Sequence, residues 1–410
     1  MKKVFEKIKE KGFRQSIRMI SVKLKKRETK CVKKLSQKRQ SVVEEILNLN
    51  YDTVIIFENH FGYYNIMLQR PQHMTRELSD ERTLVLYNSY YDVDYRDSDR
   101  ITCLKENFYI LDMYYYRKTV LEGLKKKNVR KLLMVYSTDT VPVSRIKEYQ
   151  KDNFYIIYEY VDDMNPDLIA SDKLKMITDR HKYLLQSDRT LCVATAAKLY
   201  DNVYCARPTA SLAWISNGVE CDKFQMDVKT RDAQYLSWLK EESIKVGYYG
   251  AMAGWLDYDL LKELASDKRL QIILIGVEHD GSLKESGILE FDNVRYFGKK
   301  PYEKLAGYAH FFDVCIIPFL INDITEATSP VKLFEYMSMG KPVVTTALPE
   351  CKRYDIVSIA EDSKDFRDKV YEAAAKKGER KYIEALRQFA RENDWKEKAE
   401  ELRGYIKGVE

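Results

Sequence analysis

The sequence predicts an α/β chain of two doubly wound, Rossmann-like domains facing a cleft, preceded by a basic helical arm. Three observations carry this. The chain has 410 residues, more than one ordinary hydrophobic core accommodates. From residue 51 onward, short apolar runs alternate with helix-patterned stretches, and the plan is repeated in the second half. Residues 1–40 break that plan with 16 Lys and Arg against Glu6, Glu10 and Glu28.

The arm comes first. Its local net charge is +13, while the whole chain is +6, so the remainder carries 6 − 13 = −7. Phe5, Ile8, Phe13, Ile17, Ile20 and Leu24 recur at spacings of three to five, which predicts an amphipathic helix with a basic polar face. Such an arm suits an anionic membrane surface; a solvated helix packed on the body or a disordered tail is the alternative. The start, MKKVFEKIKEKG, lacks the apolar core of a secretory signal, and no stretch is long and apolar enough to span a bilayer. The expected location is cytoplasmic, peripheral at the inner face of the cell membrane. Cys31, Cys103, Cys192, Cys205, Cys221, Cys315 and Cys351 stand singly, as reduced thiols do, and neither they nor the five dispersed His read as a metal site.

The first domain is expected over 51–225. Its strand candidates are 53–57, 83–87, 108–111, 131–136, 154–158 and 190–193, with helices at 70–78, 118–127, 172–186 and 196–202. Runs of Val, Ile, Leu, Tyr and Phe without alternation mark sheets buried on both faces. Asn217-Gly218 is a turn dipeptide where the chain leaves the first sheet. The second domain, over 226–392, has strands at 245–249, 270–275, 294–297, 313–318 and 342–346, with helices at 256–265, 302–308 and 331–339. A final helical segment occupies 393–410. Sheets of this kind bind ligands beyond the carboxyl ends of their strands.

One stretch, Thr328 to Val344, carries chemistry. Ser329 is a suitable N-cap and Pro330 a suitable first helical residue, while Gly340 and Pro342 end the helix. The free amides from Val331 onward and the positive dipole end make an anion site. Lys332 adds a cation in the first turn, and Glu335 lies one turn on, where a carboxylate can accept bonds from ribose hydroxyls; a bare helix start would equally suit a solvated surface lysine and a helix-dipole carboxylate.

The string Phe334-Glu335-Tyr336-Met337-Ser338-Met339-Gly340-Lys341-Pro342-Val343-Val344 resembles the two-domain retaining glycosyltransferases of the GT-B fold, in the GT4 group. Ile215-Ser216-Asn217-Gly218-Val219 looks like their interdomain signature, and Val294-Arg295-Tyr296-Phe297-Gly298 is similar as well. The segments 68–73, 160–163 and 247–258 are similar to the TuaH-like enzymes of teichuronic acid synthesis. The resemblance covers about residues 51–400 and implies transfer of a sugar from a nucleotide sugar, a UDP-sugar above all, to a lipid-linked surface glycan, without a cofactor or metal. It also implies that Glu335 binds the ribose and Lys332 the diphosphate, with Gly250, Gly298, Ser329 and Val331 lining the nucleotide. The family's first Glu falls on Ala327, with Glu326 adjacent as a substitute for the sugar contact. The cations that many relatives carry after Gly250 are absent from Ala251-Met252-Ala253-Gly254.

Loops of the first domain are expected to receive the acceptor: Asn59, Gly62 and Tyr64 after the first strand, and Arg70 at a helix start. His60 is a candidate to bind a donor phosphate or an acceptor hydroxyl, and Asp162 and Asp163 are candidates to orient or deprotonate an acceptor hydroxyl. Each also has a plain reading: a surface-loop histidine, an Asx turn before Asn165-Pro166, and a simple helix start for Arg70. No side chain stands out as a nucleophile.

Three rivals remain in the sequence. Asp92-Val93-Asp94 and Asp97-Ser98-Asp99 match the Asp-x-Asp of metal-dependent glycosyltransferases, in a loop where solvated charge is also expected. Gly247, Gly250 and Gly254 follow a strand, but with the wrong spacing for a nicotinamide fingerprint. The basic arm alone would suit nucleic acid, yet the acidic body and the lack of a known module speak against that partner.

Overall fold

The computed structural model describes residues 37–59, 61–64, 68–164, 171–226 and 228–408. Most of the predicted arm, residues 1–36, lies outside the described residues, as does His60.

The first sheet contains β1 (Thr53–Phe57), β2 (Thr83–Asn88), β3 (Ile101–Lys105), β4 (Phe108–Leu111), β5 (Arg130–Tyr136), β6 (Tyr155–Tyr160), β7 (Thr190–Ala194) and β8 (Ser211–Trp214). Their order is β3-β4-β2-β1-β5-β6-β7-β8, and only the β3–β4 pair is antiparallel. The second sheet contains β9 (Ile244–Tyr249), β10 (Leu270–Ile275), β11 (Val294–Tyr296), β12 (Val314–Ile317), β13 (Val343–Thr346) and β14 (Ser358–Ala360), in the order β11-β10-β9-β12-β13-β14, all parallel. Each sheet reverses direction once, between β1 and β5 and between β9 and β12, which is the doubly wound arrangement. The central strands are buried on both faces, as their continuous apolar runs require.

Three strands go beyond the expected set: β3, β8 and β14. All are edge strands with one neighbour and partly exposed side chains, so their apolar signal is diluted. The helix expected from residue 118 begins at Met113. Asp112 caps it by accepting the Tyr114 N–H at 3.0 Å, and the aromatic run Tyr114–Tyr116 had masked its helical period.

The domain limits shift for reasons of packing. The helix Gln37–Leu47 belongs to the first domain, because Val43, Ile46 and Leu47 are buried in one core with Tyr116, Val120 and Leu121. Val219, Cys221 and Phe224 are already part of the second core, so the crossing falls before residue 226. The last helix, Trp395–Gly408, returns to the first domain, where Trp395, Ala399, Leu402 and Ile406 share a core with Met74 and Leu78. Burial of each large apolar side chain there contributes about 1.5–3 kcal/mol. The two crossings of the chain lie side by side. The Val219 N–H donates to the Asn393 carbonyl at 3.1 Å, and the Trp395 N–H donates to the Val219 carbonyl at 3.0 Å. Gly218 permits this approach, since a Cβ there would stand 2.6 Å from the Asn393 carbonyl oxygen.

Candidate functional site

The carboxyl ends of the two sheets face each other. Residues just past β7 meet residues just past β12 and β13: the Lys198 ammonium bridges Asp323 at 2.8 Å and Glu326 at 3.1 Å, and the Ala197 N–H donates to Glu350 at 3.3 Å. The guanidinium carbon of Arg353 lies over the Trp214 ring, 3.7 Å from its centroid. Near the hinge, the Asn217 N–H donates to the Ser329 hydroxyl at 3.1 Å, and the Asn217 amide donates to the Ser329 carbonyl at 2.7 Å.

The second domain's side of the cleft is built around the eight-residue helix Val331–Ser338. Its N-cap is Pro330, and no side chain caps it. Ser329, expected to be the cap, turns its hydroxyl to Asn217 instead, which ties this helix start to the hinge. The helix therefore presents an uncapped, positive end.

Lys332 projects from the first turn. Its ammonium lies 4.8 Å from the Phe319 ring centroid and 5.4 Å from that of Tyr248. Burial pushes its pKa down to about 8, while Glu335 pulls it up. Glu335 is only 4% exposed. Burial pushes its carboxyl up to about 7, and the neighbouring Tyr249 hydroxyl, Lys332 ammonium and Tyr302 hydroxyl counter part of that rise. A desolvated carboxylate beside a desolvated ammonium at a helix start suits a ligand that carries hydroxyls next to an anion.

The floor beneath them is glycine at the strand ends. Gly250, past β9, has φ +151°, and a Cβ there would stand 3.0 Å from Lys332 Cε and 2.7 Å from the Tyr248 oxygen. Gly276, past β10, has φ +150°, and its Cβ would fall 1.6 Å from the Gly250 carbonyl oxygen. The Gly276 N–H donates to the Gly298 carbonyl at 3.0 Å, with open space around Gly298. Thus Gly250, Gly298, Lys332, Glu335 and the Val331 helix start are brought together, and Gly276 joins them.

The first domain's candidates separate. Asp162, past β6, has a carboxyl with no partner among the described residues, and burial pushes it up to about 6. Asp163 spends its carboxylate on the Tyr160 hydroxyl at 2.9 Å and the Met164 N–H at 2.7 Å. Tyr64 is 54% exposed and free to meet a ligand. Asn59 is a correction: its amide donates to the Asn88 and Phe57 carbonyls and its oxygen accepts the Phe61 N–H at 2.6 Å, so it shapes the loop. Gly62 is another, because it is buried with Tyr91 and Asp94 where a Cβ would fall. Arg70 is a third: it is 3% exposed and joins Glu159 at 2.8 Å to the Ser216 carbonyl at 2.8 Å, a strut from β6 to the hinge. Glu326 is turned to Lys198, and Ala327 is 1% exposed within the first domain's core cluster.

Asp92 and Asp94 do not pair as a ligand set. Asp94 is buried and accepts the Tyr63 and Tyr64 N–H groups at 2.8 Å each, together with the Ser89 hydroxyl, while Asp92 pairs with Arg100 at 2.6 Å. Lys198 is a residue the motifs left aside. No local pattern marks it, since its partners Asp323 and Glu326 lie far away in sequence.

Comparisons with known proteins agree with this geometry. Residues 246–376 match the family model described as Glycosyl transferases group 1. The chain is similar to the putative teichuronic acid biosynthesis glycosyltransferase TuaH of Bacillus subtilis (strain 168), with 29% identity over 189 residues. That match spans 44% of this chain and 47% of the relative, about half its length. Among solved structures, a glycosyltransferase from Rickettsia africae has a TM-score of 0.63 at 14% identity, over 88% of this chain and 98% of that one. Anabaena Alr3699/HepE in complex with UDP and glucose has a TM-score of 0.60 at 12% identity, over 87% and 100%. The architecture of two Rossmann-like domains about a cleft is the GT-B fold.

Proposed function

We propose that this chain is a glycosyltransferase that moves a sugar from a UDP-sugar to a lipid-linked surface glycan, with retention and without a metal. The observation that carries the reading is the Lys332–Glu335 pair at the uncapped start of Val331–Ser338, within the segment similar to group 1 glycosyl transferases. Glu335 accepts the ribose hydroxyls, and Lys332 with the helix-start amides holds the diphosphate. The Anabaena relative's complex with UDP and glucose supports UDP as the carrier.

The bond from the sugar's anomeric carbon to the diphosphate oxygen breaks while the acceptor oxygen attacks from the same face. Charge develops on the diphosphate, where Lys332 and the helix dipole already point, so the transition state is stabilised with little reorganisation. Asp162 orients the acceptor hydroxyl and takes up its proton. Metal independence is supported by the commitment of Asp92 and Asp94 to Arg100 and to loop amides. Peripheral location at the inner membrane face, with a lipid-linked acceptor, is supported by the charge of +13 in residues 1–40 and its interleaved apolar stripe. No helix among the described residues is long and apolar enough to cross a membrane.

The test is calorimetry of UDP, GDP, dTDP and CMP, followed by turnover of the matching sugars in excess EDTA. Binding of UDP and turnover that survives EDTA is the expected result. Absence of all nucleotide binding in the folded chain would overturn the reading; loss of turnover in EDTA, rescued by manganese, would overturn its metal-free form.

A further inference from the structure

The switch point of the first sheet, between β1 and β5, holds charged groups that the proposed reaction leaves unused. Glu58 follows β1 directly and is buried. Two helices close over it: Met113–Lys125, which brings Arg117, and Val143–Lys151, which brings Arg145 and Tyr149. The Tyr149 hydroxyl donates to Glu58 Oε1 at 2.6 Å, and Arg145 Nη1 donates to Glu58 Oε2 at 3.2 Å. Each carboxylate oxygen thus has a donor, and one guanidinium balances the charge.

Arg117 is the surplus. Its guanidinium stands 3.8 Å from Glu58 Oε1 and 3.9 Å from Glu148 Oε2, outside hydrogen-bond reach of both. The Glu148 side chain is half exposed, so water weakens its pull. The side chains of Arg117 and Arg145 are 27% and 30% exposed. Apart from the bond from Arg145 to Glu58, their guanidinium nitrogens have no hydrogen-bond partner among the described residues. Both arginines lie in the early turns of helices that start past the carboxyl ends of β4 and β5, at the crevice where open sheets take ligands. A carboxylate carries one charge and is served by a single guanidinium fork. A phosphate group has up to two charges and three free oxygens, and it takes two guanidiniums arriving from different sides.

We infer that Arg117 and Arg145, braced by Glu58 and Tyr149, bind a phosphate group carried by the acceptor. The inference rests on the proposed function in one respect, that the strand ends of the first domain receive the acceptor. β1 and β6 are two strand steps apart, about 10 Å, so the phosphate sits at about that distance along the sheet from Asp162. That leaves room for a short stretch of glycan between the phosphate and the hydroxyl that attacks. Glu148 competes with the ligand for Arg117. Removal of its charge therefore strengthens binding, a sign that a purely structural cluster does not show.

The experiment is calorimetry of inorganic phosphate and of geranyl diphosphate, each titrated into the full chain saturated with UDP so that the donor site is filled. The variants are Arg117→Gln, which leaves Glu58 its bonds from Arg145 and Tyr149, and Glu148→Gln, which alters only a half-exposed side chain and so remains readable should the first fail to fold. Arg117→Gln is expected to weaken geranyl diphosphate by about tenfold or more, as loss of a charged hydrogen bond does. Glu148→Gln should tighten it by about two- to fivefold. UDP affinity should be the same in both variants. Matching responses with inorganic phosphate would support a site for phosphate itself, and responses confined to geranyl diphosphate would support a site for phosphate borne on a lipid. Failure of both probes to bind, a change of less than about twofold in Arg117→Gln, or weaker binding in Glu148→Gln would overturn the inference while UDP still binds. A chain that binds no UDP would sink the donor reading instead, and the two variant responses would then decide the phosphate site by themselves.

Discussion

Lys198 of the first domain and Glu326 of the second meet at 3.1 Å across the cleft, and Asp323 shares the same ammonium at 2.8 Å. The carboxylate next to Ala327 thus helps to join the domains. Bridges this open to solvent are weak and fade further with salt. We expect Lys198→Ala to increase the radius of gyration at low salt, measured by X-ray scattering, with the difference shrinking at high salt. Glu326→Gln should leave UDP-sugar affinity within about twofold, a change of only ~0.4 kcal/mol. A tenfold loss of UDP-sugar affinity without loss of UDP affinity would return Glu326 to the sugar site.

Nucleotide affinity should peak in a narrow pH window. Glu335 must be ionised to accept ribose hydroxyls and is held at about 7, and Lys332 must be protonated to hold phosphate and is pushed down to about 8. UDP affinity is therefore expected to fall below pH 7 and above pH 8. Stability has its own sign. Folded Glu335 keeps its proton above the ordinary value of 4.5, so the folded state binds more protons and stability falls as pH rises from 4.5 to about 7. Folded Lys332 releases its proton below the ordinary 10.5, so stability rises from about 8 to 10.5. Glu335→Gln should remove the first slope and gain on the order of 2–3 kcal/mol over the unmodified chain at pH 8 relative to pH 4.5. A UDP affinity that stays flat from pH 6 to 9 would contradict the assignment of both groups.

Asp162 and Asp163 should behave differently although they adjoin. Asp162→Asn is expected to lower kcat by about 10²–10⁴-fold with little change in UDP affinity, as loss of a general base does. The ascending limb of the pH–rate profile, near 6 in the unmodified chain, should disappear with it. Asp163→Asn removes the acceptor for Tyr160 and Met164, so its effect should appear in thermal stability first. Equal loss of kcat in both variants would mean that the strand end, not Asp162 itself, matters.

Gly276 is predicted to be intolerant. A Cβ there meets the Gly250 carbonyl oxygen at 1.6 Å, and φ is +150°, so Gly276→Ala must displace the strand end that carries Gly250. Loss of UDP binding with a destabilisation of more than about 1 kcal/mol is expected. Gly378→Ala, with open space around it, is the control and should be close to neutral in a melting experiment.

Deleting residues 1–36 removes most of the basic residues of the arm while keeping the helix Gln37–Leu47 that packs on the first domain. The truncated protein should lose sedimentation with anionic liposomes at physiological salt, since each basic residue near such a surface contributes about 1 kcal/mol before screening. Equal sedimentation of both proteins would remove the membrane role of the arm.

The sequence alone determined the alternation of strand and helix, the helix start at Val331 and the Lys332–Glu335 pair. β1, β4 and β10 and the helix Arg70–Leu78 fall on their expected residues because apolar runs, Pro71 at a helix start and glycine stops act over a few neighbours. Only the tertiary structure decided what the polar side chains are for. Arg70 and Glu159 are 89 positions apart, Asn217 and Ser329 are 112 apart, and Lys198 and Glu326 are 128 apart. Arg70 became a strut and Asn59 a loop brace because folding buried each beside a distant partner, and Glu326 became half of a bridge because folding brought Lys198 to it. A periodic pattern records which face of an element is buried. It does not record which polar groups are buried together, and that pairing sets both their hydrogen bonds and their charge.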